Sequence, residues 1–361
     1  MKEKYGKQSY YEDMNMSVIT IDLSCTEEGH VLAEDVYSNQ GAVIVKAYTT
    51  LNKFIINRIE EFKVTTIKIF EPQTGFQHKY LLKEMRKSYE SRILEAKEIV
   101  SQIILTKEFD AKRITKLSEH IYSDIENNEY LVGCMNDIRG SDEYTYYHSL
   151  NVAYYSALIG KWLGLPHDKI VNAIKSGLLH DIGKIRIPDG IINKKGKLLP
   201  DEFKEIKKHT LYGFDLIKNE DSLDVEVKNA VLMHHEREDG SGYPLGFSGL
   251  KIDLCAKIVA IADVYDAMTS KRVYGKKSTP FEAFEMFLTE GFRLFDTNMV
   301  DAFIKGIAPF YVGAKALLNT GESAEIVYIP NHSVTRPTIR SGKQYIDLNT
   351  DYRYNIAACY F

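Results

Sequence analysis

The chain has 361 residues, 44% of them hydrophobic and 27% charged, with a formal net charge of -4. That length suits two domains, or one large domain with an appendage. The balance excludes a global basic field for polymeric nucleic acid, though a local pocket for a small phosphate ligand stays open. Four well-separated cysteines (Cys25, Cys134, Cys255, Cys359) argue against a disulfide framework and a thiolate zinc site. No run approaches the roughly 18 apolar residues of a membrane span. "MKEKYGKQSYYEDMN" lacks the apolar core of a secretory signal. Reduced thiols and no span predict a cytoplasmic protein.

Residues 1–75 are strand-rich. "SVITIDL" alternates, and two strand-like runs flank "SNQG", a hairpin signal. "NKFIINRIEEF" has helical spacing, and "VTTIKIF" is a further strand. Residues 76–130 change character: charged, free of proline from Tyr80 on, with apolar residues at spacings of three and four. Long amphipathic helices fit, as a connector or, alternatively, as a dimerising helix. Residues 131–312 read as helical. "YTYYHSLNVAYYSALIGKWLG" closes at Gly164, "HDKIVNAIKSGLLHDIGK" follows, and "LPDEFKEIKKHTLYGFDLI" opens at a proline followed by acids. "DVEVKNAVLMHHE", "DLCAKIVAIADVYDAMTS" and "TPFEAFEMFLTEG" are further helices. Residues 313–361 return to strands: "AKALLNT", "AEIVYIP", "YIDLN" and "YNIAACY". The fold class is therefore mainly α, a helical bundle with a small β-rich N-terminal module and a short C-terminal β segment.

Asp263 follows "IVAIA", a buried helix, where an isolated charge is costly. Asp266 stands at i+3 on nearly the same face, and a helix–helix salt bridge would account for the pair. His180–Asp181 ends one apolar helix and His234–His235 another; a single histidine there would simply oppose the helix dipole. The recurrence points further. With His148 and with His209, placed mid-helix in "IKKHTLYG", five imidazoles and two carboxylates accumulate. Seven ligands exceed one tetrahedral site and suit two ions sharing a carboxylate. Two such ions, about 3.5–4 Å apart, stabilise both oxygens of an in-line phosphoryl displacement. Lys184, one turn after Asp181, could meet a phosphate oxygen or be a solvated lysine.

"HDIGK", "HHEREDGSGYP" and "ADVYDAMTSKRVY", with "YTYYHSLNVA" and "KLLPDEFKEIKKHTLYGFDLI", resemble the HD-GYP domain of the HD phosphohydrolase superfamily. The likeness runs from about Tyr130 to Pro309. It implies an HD-type helical bundle and a bacterial enzyme of second-messenger signalling, hydrolysing cyclic di-GMP to pGpG and often GMP. It also implies iron or manganese: one ion on His148, His180, Asp181 and Asp263, a second on His209, His234 and His235, with Asp181 bridging and a metal-bound hydroxide attacking. Lys184 matches the lysine at the scissile phosphate, Arg272 an arginine on the other phosphate, and Tyr243 the signature tyrosine near substrate. "RIPDGIINKKGKLLP" would lie over the site.

Two positions depart from the family pattern. Tyr144 stands where a third-metal glutamate can occur, which favours two ions. Gly275 stands where a basic residue often follows, leaving Lys276 beside it as the remaining candidate for substrate contact. The segment from Gly29 to Ile69 resembles a small module often found ahead of such domains. Alternatives are the same chemistry on another cyclic dinucleotide or a nucleotide monoester, and a weakly catalytic adaptor whose GYP surface binds a diguanylate cyclase (GGDEF) domain. Glu236 and Glu238 are expected on a solvated face.

Overall fold

Alternation and β-branching make "VITID" a strand, and the structure, a computed structural model, pairs it with the other β-branched run near the N-terminus. The structure describes residues 18–70, 75–106, 109–126, 131–137, 144–194, 196–270 and 277–360. Strand β1 (Val18–Asp22) runs antiparallel to β4 (Thr66–Phe70), with Thr20 opposite Lys68. The short strands β2 (Val36–Tyr37) and β3 (Val43–Val45) form the hairpin around "SNQG". Helix α1 (Lys53–Glu61) starts at Asn52, whose side chain accepts from Ile55 N–H, so a polar cap satisfies one free end of the helix. Ile55 and Ile59, four apart, face the module's core with Leu32, Leu51, Ile67 and Ile69.

The N-terminal module and the C-terminal strands share one compact unit, formed by the described residues within 1–86, 126–137 and 304–361. Its C-terminal part is a five-stranded antiparallel sheet, ordered β8-β7-β6-β5-β9. Strands β5 (Lys315–Leu318), β6 (Ser323–Tyr328), β8 (Gln344–Asp347) and β9 (Ile356–Tyr360) fall on the four expected runs. The edge of the expectation was β7 (Thr338–Ser341), a four-residue "TIRS" too short and polar to stand out, which pairs with both β6 and β8. Asn52 Nδ2 donates to Val327 O at 2.6 Å, and Phe54 packs against Tyr328 and Tyr345. The N-terminal module and the C-terminal sheet therefore bury apolar surface against each other.

The other unit spans residues 87–125 and 138–303. The connector region forms α2 (Gly75–Thr106) and α3 (Ala111–Glu126), and α3 buries Ile114, Leu117, Ile121 and Ile125 at helical spacing. Helix α4 (Leu131–Asp137) belongs to the β unit; in the helical unit α5 (Tyr144–Trp162) and α6 (His167–Leu179) pack together. After a 3-10 turn over Ile182–Arg186 come α7 (Asp189–Ile192), α8 (Pro200–Lys207), α9 (His209–Ile217) and α10 (Val225–Met233). Helix α11 (Leu254–Thr269) runs between α5, α6 and α10, buried on nearly every face, and α12 (Pro280–Leu288), α13 (Gly291–Leu294) and α14 (Thr297–Ile307) complete the helices. No described helix is long and apolar enough to cross a membrane.

Two expectations need correction. "PDEFKEIKKHTLYGFDLI" is not one helix: α8 ends at Lys207, α9 begins at His209, and the chain turns at Lys208. His209 is thus the first residue of a helix rather than mid-helix. The packing here outweighs the local helical preference, because the turn at Gly183 presses directly on the break. A Cβ at Gly183 would meet His209 O at 1.9 Å, so only glycine permits this approach. Glu236 is not on a solvated face either. It is buried, and its two carboxylate oxygens accept from the N–H groups of Leu245, Gly246 and Phe247 at 2.6, 3.1 and 3.0 Å. Glu238 is partly buried and pairs with Lys257 at 2.7 Å.

Candidate metal centre

The site is assembled from the ends of helices. His180 caps α6 and Asp181 begins the turn after it; His209 opens α9; His234 and His235 follow α10. His148 lies in α5 and Asp263 in α11. Helix ends leave backbone carbonyls without intrahelical partners, and three of the histidines use them. His180 Nδ1 donates to Gly177 O at 2.8 Å, His209 Nδ1 to Ile206 O at 2.7 Å, and His234 Nδ1 to Val231 O at 3.0 Å. A carbonyl only accepts, so each Nδ1 carries the proton and each Nε2 keeps its lone pair.

Those lone pairs converge on one another and on carboxylates. His209 Nε2 and His234 Nε2 are 3.2 Å apart. His180 Nε2 is buried without a hydrogen-bond partner, 3.2 Å from Asp181 Oδ2. His148 Nε2 lies 3.2 Å from Asp263 Oδ1 and 3.7 Å from Asp181 Oδ2; His209 Nε2 lies 3.4 Å from Asp181 Oδ1. Acceptors facing acceptors in a buried space repel unless a cation lies among them. Two such groups are present, His209–His234–His235 and His148–His180–Asp263. Asp181 has one oxygen toward His209 and the other toward His148 and His180. The donor set therefore fits two metal ions with a shared carboxylate, as imidazole and carboxylate ligands suit first-row ions.

The electrostatics of the two groups differ. Burial pushes His234 well below the ordinary histidine range, helped by its imidazole neighbours, and lowers His209 and His235, the latter to about 3. This cluster is a set of neutral lone pairs. Burial opposes a charge on His148 too, but hydrogen bonds and charge from Asp263 and Asp266 outweigh it and push His148 up to about 10. Burial works against ionisation of Asp181 and Asp263, yet His180 and Lys184 hold Asp181 low, and His148 holds Asp263 low. The first cluster, His148, His180 and Asp263 with Asp181, thus demands positive charge, as a proton or as a metal ion, in contrast to the second, His209, His234 and His235.

Around these groups, Lys184 Nζ lies 2.5 Å from Asp181 Oδ2, with a third of its side chain exposed. The Tyr243 ring stacks on His235, centroids 4.7 Å apart. Burial, with Asp181 and Asp263, pushes its phenol up, so it remains a hydroxyl donor. The tripeptide loop folds back through Gly242, where a Cβ would meet Glu236 Cα at 2.4 Å. A cavity of about 70 Å³ reaches Asp181 and Lys184, walled by Ile99 and Ile103 of α2 and by Ile114 and Leu117 of α3. Arg272 and Lys276 lie outside the described residues. The structure brings the other nine candidate residues together. The sequence offered Asp266 only as a salt-bridge candidate: it is fully buried, and it accepts from His148 Nδ1 at 2.8 Å, Asn151 Nδ2 at 2.8 Å and Ser270 Oγ at 2.9 Å. Its position three residues after Asp263 was the available signal.

Fold and site together define a helical histidine–aspartate domain, and the sequence model of the HD domain family matches residues 134–299. A cyclic di-GMP phosphodiesterase of Pseudomonas aeruginosa is 36% identical over 203 residues, covering 56% of this chain and 49% of that protein. A 3'3'-cGAMP-specific phosphodiesterase of Vibrio cholerae is 31% identical over 180 residues, covering 50% and 34%. Among solved structures, an HDG"Y"P protein of Bdellovibrio bacteriovorus is similar in fold, with a TM-score of 0.51 at 17% identity, covering 80% of this chain and 98% of that one. Residues 134–299 thus match the HD domain family, and the "HDIGK" and "GYP" motifs lie inside the matched stretch. It spans about half the length, or less, of the curated relatives it matches.

Proposed function

We propose that the chain is a metal-dependent phosphodiesterase that hydrolyses cyclic di-GMP to pGpG, GMP or both. The observation that carries this reading is the convergence of two buried clusters of imidazole nitrogens on opposite oxygens of Asp181. His148, His180, Asp181 and Asp263 would hold one ion; His209, His234 and His235, with Asp181, the other. Iron or manganese suits such ligands. When bound, the ions supply Lewis-acid activation of water and of a phosphoryl oxygen.

The chain's own residues do the rest. The Nδ1–H bonds of His180, His209 and His234 to helix-end carbonyls fix their rings, and Asp266 fixes His148 in the same way. Lys184 touches Asp181 and solvent at once, so its ammonium can meet an oxygen of the scissile phosphate. Tyr243, held against His235, offers its hydroxyl at the mouth, and Arg272 and Lys276 complete the substrate contacts in this reading. The 3'3'-cGAMP-specific relative keeps a second substrate in view, the same reaction on a mixed cyclic dinucleotide. The reading assigns this chemistry to the reducing cytoplasm, which suits a chain whose four cysteines stand far apart in sequence. Leu245 and Leu250, exposed beside the tripeptide, offer a GGDEF domain an apolar contact, and exposed Leu94 and Leu105 of α2 offer one to a second copy; co-purification with a GGDEF domain and sedimentation of the chain alone test these two partners.

The test of function is anaerobic purification with metal quantification, then product analysis on both cyclic dinucleotides for wild type and Asp181→Ala. Stoichiometric Fe(II) or Mn(II) with no turnover of either would overturn the reading, and unchanged turnover in Asp181→Ala would overturn the site.

A further inference from the structure

Helix α2 reads as a connector, yet one of its side chains is joined to the metal centre. Tyr89 lies in the part of α2 that belongs to the helical unit, and it is fully buried. Its hydroxyl donates to Asn151 Oδ1 at 2.6 Å. Asn151, one turn after His148 in α5, donates through Nδ2 to Asp266 Oδ1 at 2.8 Å. Asp266 Oδ2 accepts from His148 Nδ1, also at 2.8 Å. Every member is at most 6% exposed, so water cannot substitute for a lost partner.

The donors and acceptors along this row allow one arrangement. Asp266 is a carboxylate already accepting from His148, Asn151 and Ser270, so the Asn151 amide must present its NH2 to it. Its carbonyl oxygen then faces Tyr89, and the phenol must donate. A reversed amide would set Oδ1 against the Asp266 carboxylate, at a cost in a buried site. The Tyr89 hydroxyl therefore locks the amide, the amide holds the carboxylate, and the carboxylate keeps the proton of His148 on Nδ1. That leaves His148 Nε2, 3.2 Å from Asp263 Oδ1, as the nitrogen facing the cluster and the one that would give up its proton to a metal ion.

We propose that Tyr89, acting through Asn151 and Asp266, is a positioning residue for the first metal cluster, so that the connector helix is part of the metal site. This rests on the reading of His148 as a metal ligand. Among the described residues no equivalent row reaches His209, His234 or His235: His209 Nδ1 donates to Ile206 O at the end of α8, His234 Nδ1 to Val231 O of α10, and His235 Nδ1 lies 4.0 Å from Asp263 Oδ2. The effect is thus confined to one of the two ions.

The test is calorimetric titration of the full chain, stripped of metal, with Mn(II). Tyr89→Phe is measured in a His235→Ala background, which isolates the first cluster, and in a His180→Ala background, which isolates the second. Partners that orient a metal-bound histidine typically matter by tenfold or more. We expect Tyr89→Phe to weaken the first cluster about tenfold and the second by less than about twofold. Tyr154→Phe is the control: its ring is 5.8 Å from that of Tyr89, it is as deeply buried, and its hydroxyl donates to Asp124 instead. It should leave both affinities unchanged. Asn151→Ala, which removes the middle of the row, should reproduce Tyr89→Phe. Equal weakening of both clusters, no change in either, or the same loss in Tyr154→Phe overturns the relay alone. A wild type that binds no Mn(II) overturns the metal reading and the relay with it.

Discussion

The helical unit and the β unit bury very different groups. In the β unit the buried side chains are apolar, from Leu32 and Ile55 to Ile326 and Ile339, and among the described residues Thr338 is its one buried polar side chain. The helical unit buries His148, His180, Asp181, His209, His234, Glu236, Asp263 and Asp266. Buried charges cost stability unless paired, so a fold that gathers this many is holding them for chemistry. The comparison separates residues that maintain a core from residues gathered at a site.

The largest effect that would sharpen this contrast is Asp181→Ala. Removing the shared carboxylate is expected to lower kcat by about 10³-fold or more, read by product formation on cyclic di-GMP, while the β-unit cap variant Asn52→Ala leaves kcat unchanged. Ile55→Ala, in the β core, should cost about 2–5 kcal/mol of stability in denaturant unfolding. Its metal content per folded molecule should match wild type; loss of metal would break the separation of roles. Saturating Mn(II) at a hundred times Kd should stabilise the helical unit by about 2.7 kcal/mol, seen as a raised melting temperature that a chelator reverses. Glu236→Gln weakens three hydrogen bonds to the tripeptide loop, each charge-assisted and worth about 1.5–3 kcal/mol at most. The expected signature is faster amide exchange at Leu245 and Phe247.

The smallest effect is at Cys255, buried in α11, where burial pushes the thiol up to about 12 from an ordinary 9.0. The folded state keeps its proton while the unfolded chain loses it, so this contribution is complete below pH 9 and falls as pH rises toward 12. Iodoacetamide at pH 9 should therefore modify exposed Cys25 and spare Cys255.

Much of the site was legible because its signals are local. Apolar helices ending in "HD" and "HH", and an aspartate after "IVAIA", are conspicuous in one dimension, and the helices they end are where α6, α10 and α11 stand. Asp266 was visible only as a salt-bridge candidate, since its partner His148 is 118 positions away. Glu236 looked solvated because the N–H groups it binds belong to a loop that only the folded backbone returns to it. The break at Lys208 carried no glycine or proline to announce it.

By itself the sequence determined which residues could ligand a metal, the helical character of residues 131–312 and the strands at both ends, because hydrophobic period and residue chemistry are local properties. The division of the imidazoles about Asp181 came from the family resemblance; tertiary structure alone decided the distances within each cluster, that Tyr89 reaches His148 through two intermediates, and that the two strand-rich regions build one β unit. Those are contacts between distant residues, set by how apolar faces pack, and no local pattern records them.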